Sequence, residues 1–326
     1  MSLARRLAHR IAGPIHRLLA RSRWLSRCYL EAVGSLLHLL PDGQAKAQCC
    51  NLLRATAWPE VALKPRRVEL AKGLRLMLMP HVGEFDFDAL IFRQLRYEPE
   101  VFSFLAANFK RWRCVVEVGS NVGIFTLYLA AEANQRQHPL QIYGFEPSLK
   151  AFGRLRANLE CNPGLEVNAF ALALAPQAGF PTFHEPQGHL TNGSLLPDFA
   201  SAFSSQIQRR RVPAMQACAI AELLDGSGAN LIKIDAEGVT SMILDSMREL
   251  ILQRRPELII EVLTLEEPQL NALDWLLEAY DLHRLSASGP LAQPRFNAHE
   301  SERDFWLQPR PASAANVPKA APLTQP

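Results

Sequence analysis

The sequence predicts a doubly wound α/β fold: a mostly parallel sheet with helices on both faces, an antiparallel strand near the C-terminus and a helical N-terminal extension. From Cys114 onward, short apolar runs alternate with segments of helical periodicity. Glycines follow the first apolar run at a spacing that suits a tight turn, and several runs end in a carboxylate. Nearly half of the 326 residues are hydrophobic, enough for one large domain and an appendage.

The N-terminal segment, residues 1–60, is expected to be a basic amphipathic helical extension. Its first thirty residues contain seven arginines and no acid before Glu31, and apolar residues recur at roughly helical spacing. Two alternatives are open. The helix can lie on an anionic membrane surface, or it can pack on its own domain with a solvated arginine face. No apolar run has the length of a membrane span.

The remaining elements follow in order. Residues 61–110 are expected to be a lead-in, strand-like from Val61 to about Arg93 and helical from Tyr97 to Phe109. Residues 111–308 are expected to form the main domain. Its predicted strands are Cys114–Val118, Gln141–Phe145, Leu165–Ala171, Leu231–Asp235 and Leu258–Val262, with short ones near His283–Ser286 and Phe305–Leu307. Its predicted helices are Gly123 to about Glu132, Ser148–Glu160, Thr240–Gln253 and Gln269–Tyr280. The Pro- and Ala-rich residues 309–326 are expected to be a disordered tail.

Composition limits the function classes. A net charge of +3 lacks the strong basic excess of a dedicated nucleic-acid protein, and Arg209–Arg211 is the main basic cluster outside the N-terminus. The six cysteines form no CxxC pair, so free thiols in a reducing compartment, the cytoplasm, are expected. No His/Cys spacing supports zinc, and no metal is expected.

The turn after the first apolar run is Glu117-Val118-Gly119-Ser120-Asn121-Val122-Gly123. Ligands of open α/β sheets bind at this edge, and glycines would let a ligand approach the backbone. A dinucleotide fingerprint needs a glycine where Asn121 stands. S-adenosylmethionine lacks a phosphate, and Glu117 suits its ammonium and sulfonium-bearing tail. The motif favours this ligand over a dinucleotide.

Two further strand ends bear carboxylates. Glu146 ends the second predicted strand, where a carboxylate can accept both hydroxyls of a ribose. In Leu231-Ile232-Lys233-Ile234-Asp235-Ala236-Glu237-Gly238, Asp235 and Glu237 end a strand that the charged Lys233 interrupts. These two acids could orient a substrate, accept a proton or bind a cation. A helix-capping role is the alternative for each strand end.

Three segments together resemble the FkbM family of methyltransferases: VVEVGSNVGIFTLYLA, IYGFEPSLKAFGRLRANL, and LIKIDAEG followed by PELIIEVL. The resemblance spans roughly Tyr97 to Val262. It implies a class I methyltransferase-like (Rossmann-like) sheet, S-adenosyl-L-methionine as donor, and O-methylation, often of sugar or natural-product hydroxyls. It also implies site residues: Glu117, Gly119, Asn121 and Gly123 at the methionine end, Glu146 at the ribose, Ala169, Phe170 and Ala171 at the adenine, and Asp235 and Glu237 at the transfer site.

The sequence departs from the family pattern at three positions. Glu117 replaces the more usual Asp, Thr240 stands where a second acid is common, and Ala221 stands where an Asp often occurs. The last two departures concern the acceptor side.

The segment from Phe180 to Arg211 is expected to be a long irregular loop that could cover the cofactor. Asp235 is the first candidate for the base that accepts the acceptor's proton, followed by His184 and His189. A small-molecule or glycan acceptor is expected as partner. Two other functions are open: a nucleic-acid methyltransferase, and a non-catalytic module in which the arginine-rich N-terminus recruits a membrane or a partner.

Overall fold

The computed structural model describes residues 13–71, 73–95, 97–187, 190–299 and 302–311. The strands are β1 Arg66–Ala71, β2 Leu74–Leu78, β3 Cys114–Val118, β4 Gln141–Phe145, β5 Asn168–Phe170, β6 Ala173–Ala175, β7 Thr182–Pro186, β8 Ile207–Arg211, β9 Ala214–Gln216, β10 Asn230–Ile234, β11 Glu257–Glu261, β12 Tyr280–Arg284, β13 Leu291–Gln293 and β14 Asp304–Pro309. The helices are α1 Arg23–Leu39, α2 Gln44–Arg54, α3 Ala89–Phe92, α4 Pro99–Asn108, α5 Ile124–Gln135, α6 Leu149–Glu160, α7 Pro197–Ser201, α8 Thr240–Ser246, α9 Arg248–Arg254, α10 Glu267–Asn271 and α11 Asp274–Ala279.

Eight strands form the main sheet in the order β13-β12-β14-β11-β10-β3-β4-β5. The five strands from β11 to β5 are parallel, whereas β14 runs antiparallel to both β11 and β12. Every residue of β3 and β10 is buried, as expected for strands covered on both faces. The predicted fold class, including the antiparallel C-terminal strand, is confirmed.

The strand order reverses direction at β3. The chain proceeds from β3 to β4 and β5 on one side of it, and later returns to place β10 and β11 on the other. A switch of this kind opens a crevice at the carboxyl ends of the flanking strands. The topology therefore brings the ends of β3, β4 and β10 together.

The N-terminal helices pack on the lead-in. Leu30, Leu37 and Leu53 form an apolar cluster with Phe87 and Leu90. The Arg-rich start of the chain, up to residue 12, lies outside the described residues. Within the described part of the chain, no helix is both long and apolar enough to cross a membrane.

Several predicted elements were wrong in detail. The segment expected to be irregular contains β7 and β8, which pair antiparallel from Thr182↔Arg211 to Pro186↔Ile207. The helix predicted from Thr240 to Gln253 is two helices, because the backbone leaves helical geometry at Met247. The helix predicted to end at Tyr280 is also two, α10 and α11, and Tyr280 begins β12.

Only the first residues of the predicted disordered tail, 309–311, lie in the described part of the chain. Strand β14 extends to Pro309, the first residue of the segment expected to be disordered. Residues 312–326 lie outside the described part of the chain.

Candidate functional site

A cleft of about 260 Å³ lies at the carboxyl ends of β3, β4, β10 and β11. Gly119, Glu146 and Asp235, from three different strand ends, all line it. Phe85 and Tyr97 of the lead-in and residues 190–195 also contribute to its walls. The convergence expected from the sequence is therefore present, in a cleft near the size of a small-molecule site.

The turn after β3 depends on two glycines, and contacts within the protein restrict both positions. Gly119 has a φ of +83°, and a Cβ there would lie 1.9 Å from the backbone oxygen of Asp235. Gly123 also has a φ of +83°, but its Cβ would meet the side chain of Leu155, and it is not among the described residues that line the cleft. Contacts within the protein and the left-handed backbone are therefore sufficient to explain why both positions lack a side chain.

Glu146 is buried at the end of β4, and two backbone groups hold its carboxylate. The N–H of Asn121 donates to Oε2 at 2.8 Å, and the N–H of Ser148 donates to Oε1 at 2.7 Å. Burial raises the pKa of Glu146 to about 7, although these two donors oppose the increase. Each carboxylate oxygen retains a further lone pair, so the group can still accept two hydroxyl hydrogen bonds.

Glu117 and Asn121 supply acceptor groups beside the same turn. The Thr126 hydroxyl donates to Oε2 of Glu117, and burial raises the pKa of this carboxyl to about 7. The side-chain oxygen of Asn121 is buried without a hydrogen-bond partner in the described structure. A buried acceptor in a cleft wall suits a ligand that donates hydrogen bonds.

Three acids meet at the ends of β10 and β11. Asp235, Glu237 and Glu261 can each place a carboxylate oxygen within 4.8 Å of the others. Such a set could hold a hard divalent cation. Two cations of the protein already pair with it: Lys233 Nζ lies 2.9 Å from Asp235 Oδ2, and Arg303 lies 3.0 Å from Glu261.

The protonation states of these acids differ. Burial alone would raise the pKa of Asp235, but the Lys233 ammonium and a hydrogen bond from Glu261 lower it below its usual value. Burial and the Asp235 charge raise the pKa of Glu261 well above normal. Burial, followed by the charge of Asp235, raises the pKa of Glu237 to about 8. Asp235 is therefore the ionised member of the cluster at neutral pH.

Only one of the two histidine candidates, His184, lies among the described residues. His184 lies in β7, where Phe183 lines the cleft, and successive side chains of a strand point to opposite faces. The structure thus removes His184 from the cleft wall, and burial lowers the pKa of its imidazole. His189 lies outside the described residues.

The segment predicted to flank the adenine lies next to the cleft, and its role stays a prediction. Ala173 and Leu174 line the cleft, whereas Ala169, Phe170 and Ala171 are not among the described lining residues. Phe170 instead stacks on Phe145 with ring centroids 5.1 Å apart, and its carbonyl accepts the N–H of Glu146. The segment thus contacts Phe145 and Glu146, two residues that line the cleft.

Sequence reasoning missed several cleft residues. Glu261 is a lone acid at the end of an apolar run, the same signal that identified Glu146 and Asp235, and it could have been found. Arg303 could not, because it reaches the cleft only through the antiparallel pairing of β14 with β11. Tyr97 and Phe85 come from the lead-in, whose packing the sequence did not indicate.

The chain is similar to one family of known sequences and, at a low level, to several solved structures. The sequence model of the methyltransferase FkbM domain matches residues 117–283, just over half of the chain. No curated protein matches the sequence. Among solved structures, the FkbM methyltransferase of Methylobacillus flagellatus is 13% identical with a TM-score of 0.39, and the match covers 60% of this chain and 44% of that one.

Two further solved structures are similar at the same low level. A putative caffeoyl-CoA O-methyltransferase from Staphylococcus aureus is 9% identical with a TM-score of 0.37, and the match covers 65% of this chain and 84% of that one. The SAH-bound methyltransferase of Podospora anserina is 11% identical with a TM-score of 0.35, with 64% and 78% covered. The family assignment rests on the domain match, which includes Glu117, Glu146, Asp235 and Glu261. The chain belongs to the FkbM methyltransferase family.

Proposed function

We propose that the chain transfers a methyl group from S-adenosyl-L-methionine to a hydroxyl of a sugar, glycan or natural-product-like small molecule. The observation that carries the proposal is the carboxylate of Glu146, held by the N–H groups of Asn121 and Ser148 at the cleft that Asp235 also lines. The cleft thus offers one carboxylate, Glu146, that can accept hydrogen bonds from ribose hydroxyls, and a second, Asp235, that is ionised.

The residues of the cleft fit the donor by their chemistry. Glu146 would accept hydrogen bonds from the ribose hydroxyls, and Glu117 and the Asn121 side-chain oxygen would face the positively charged methionine end. The unpartnered oxygen of Asn121 supports this assignment, since an ammonium group can donate to it. When bound, the donor supplies a methyl group activated by the sulfonium.

At the transfer end, Asp235 would orient the acceptor hydroxyl and accept its proton as the oxygen–carbon bond forms. Lys233, 2.9 Å from Asp235 and 4.4 Å from the centre of the Phe125 ring, keeps the carboxylate ionised. The apolar rings of Phe85, Tyr97 and Phe125 in the cleft wall would help to exclude water. Alignment of the reacting atoms is the other contribution of the site.

The Asp235→Asn variant tests the transfer step. We expect methyl transfer to fall by roughly 100-fold or more, because general-base catalysis contributes roughly 10²–10⁴-fold. We expect donor affinity to stay within about threefold, because the side chain keeps its size and one of its two acceptor oxygens. The measurement is transfer of labelled methyl to separate pools of glycans, lipids, small metabolites and RNA, with donor affinity determined by calorimetry.

The exposed Asp198→Asn change is the matched control and should leave both quantities unchanged. An Asp235→Asn enzyme of wild-type rate would contradict the role of Asp235. If RNA were the one pool to be methylated, the proposed acceptor class would be wrong and RNA would be the acceptor. Failure of the folded wild-type protein to bind the donor would favour a non-catalytic module.

A further inference from the structure

Helix α1 has two apolar faces, and the described residues of the protein cover only one of them. Leu30 and Leu37 are buried against the lead-in. On the same helix Trp24, Leu36 and Leu39 are 70%, 66% and 78% exposed. Exposed side chains of this size are costly in water, so their concentration on one helix indicates a contact surface.

The exposed residues form a continuous stripe. Trp24, Cys28, Ala32, Leu36 and Leu39 succeed one another at intervals of four, four, four and three residues, the spacing of one helix face, and all five are exposed. Leu30 lies about half a turn around the helix from the centre of this stripe, on the opposite side. We call this stripe the exposed α1 face.

The segment before α1 extends the same apolar character. Ile15 and Leu18 are more than half exposed. Between them the ring of His16 is buried and forms hydrogen bonds with Thr56 and Tyr29, so this segment is anchored to the protein. Exposure of its apolar side chains is thus a feature of a fixed surface.

The charge around this surface is positive. Arg17, Arg21, Arg23 and Arg27 are exposed, and none forms an ion pair within the part of the chain that the structure describes. Glu31 is the single acid among residues 13–41, and Arg66 and the N–H of Lys64 already engage it. The surface therefore has four unpaired guanidinium groups and no free carboxylate.

We infer that the exposed α1 face docks on an anionic lipid bilayer. A tryptophan and leucines can enter the interfacial region while exposed arginines of the same segment, such as Arg27 three residues after Trp24, contact anionic headgroups. An apolar stripe alone would not identify the occupant, but the excess of unpaired arginines selects a negatively charged one. The inference uses no residue of the cleft and stands independently of the proposed methyl transfer.

Vesicle binding by the full-length protein tests the inference. Flotation assays would compare vesicles of pure phosphatidylcholine with vesicles that contain about 30 mol% phosphatidylglycerol. The test variants are Trp24→Ser/Leu36→Ser/Leu39→Ser and Arg23→Gln/Arg27→Gln. The matched control replaces three exposed apolar residues elsewhere, Phe180→Ser/Met242→Ser/Leu291→Ser.

The expected result is binding of the wild type and of the control triple variant to anionic vesicles only. The serine variant should lose binding, and the double arginine variant should bind about 25-fold more weakly, since each basic residue near the surface contributes about fivefold. Absence of wild-type binding, equal binding to both vesicle types, or unchanged binding by the serine variant would overturn the inference. So would a dimer, seen by sedimentation, that the serine variant abolishes without any vesicle binding.

Discussion

At the residue scale, four buried or half-buried carboxyls of similar intrinsic acidity have different protonation states. Asp235 stays ionised beside Lys233, whereas burial raises the pKa of Glu117 and Glu146 to about 7 and that of Glu237 to about 8. Environment rather than residue type thus separates their roles. One carboxylate is ionised at neutral pH, and the others change charge near neutrality or slightly above it.

The raised pKa of Glu237 predicts how stability changes with pH. A carboxyl with a higher pKa in the folded state binds its proton more tightly there, so its stabilising contribution is complete below pH 4.5 and is lost as pH rises through about 8. We expect the free energy of unfolding to decrease between these values, and to decrease less in Glu237→Gln. Urea denaturation at a series of pH values measures both slopes.

Glu160→Gln is the control for that series, because the Glu160 carboxyl lies on the surface and is 70% exposed. It should leave the wild-type slope unchanged. Identical slopes for the wild type and Glu237→Gln would show that Glu237 does not hold its proton more tightly in the folded protein.

At the element scale, the turn after β3 fixes the geometry of the cleft. An alanine at Gly119 would combine a left-handed backbone with a clash against the backbone of Asp235, whereas one at Gly123 would meet the movable side chain of Leu155. We expect Gly119→Ala to lower the free energy of unfolding by roughly 3 kcal/mol or more, and Gly123→Ala by about 1–2 kcal/mol. Chemical denaturation compares the two variants.

Gly153 provides the opposite control within a helix. It lies in α6 with no atom within 4 Å of an added Cβ, so Gly153→Ala should stabilise the protein by about 0.5–1 kcal/mol. If Gly119→Ala lowers the free energy of unfolding no more than Gly123→Ala does, the close approach of the β3 and β10 ends does not restrict the residue at position 119.

The sequence predicted the central strands well because a buried parallel strand is a short apolar run with clear ends. It failed where structure depends on distant partners. Strands β7 and β8 are polar on much of their surface and pair across twenty intervening residues, so neither shows a local pattern. The interruption at Met247 lies within a run of continuous helical periodicity, and no proline or glycine marks it.

The residues of the site also divide into those that a local sequence pattern marks and those that depend on distant partners. Glu117, Glu146 and Asp235 were predictable because each is an acid at the end of an apolar strand. Arg303 was not, because its contact with Glu261 requires the register between β11 and β14. His184 looked suitable by residue type, but the alternation of β7 places Phe183 at the cleft instead.

At the scale of the whole molecule, the N-terminal helices are joined to the cleft through the lead-in. Leu30 packs with Phe87, and Phe85 nearby lines the cleft. We expect Leu30→Ala to lower the free energy of unfolding by about 2–4 kcal/mol and to leave one cooperative transition. Urea denaturation monitored by circular dichroism and tryptophan fluorescence tests this.

Leu39→Ala, at an exposed position of the same helix, is the control and should change stability by less than about 0.5 kcal/mol. Two separate transitions, or a Leu30→Ala variant as stable as the wild type, would mean that the N-terminal helices fold independently of the domain.

We propose that the ends of β3, β4 and β10 form a pocket for the adenosyl donor. Calorimetric titration of S-adenosylmethionine into the wild type and Glu146→Ala tests it most directly, with Glu146→Gln as a second variant and circular dichroism to verify folding. We expect saturable binding by the wild type. In Glu146→Ala the free energy of donor binding should weaken by about 1.5–3 kcal/mol, which lowers the affinity roughly tenfold or more. A folded wild type that does not bind at high micromolar concentration, or folded Glu146 variants of unchanged affinity, would contradict it.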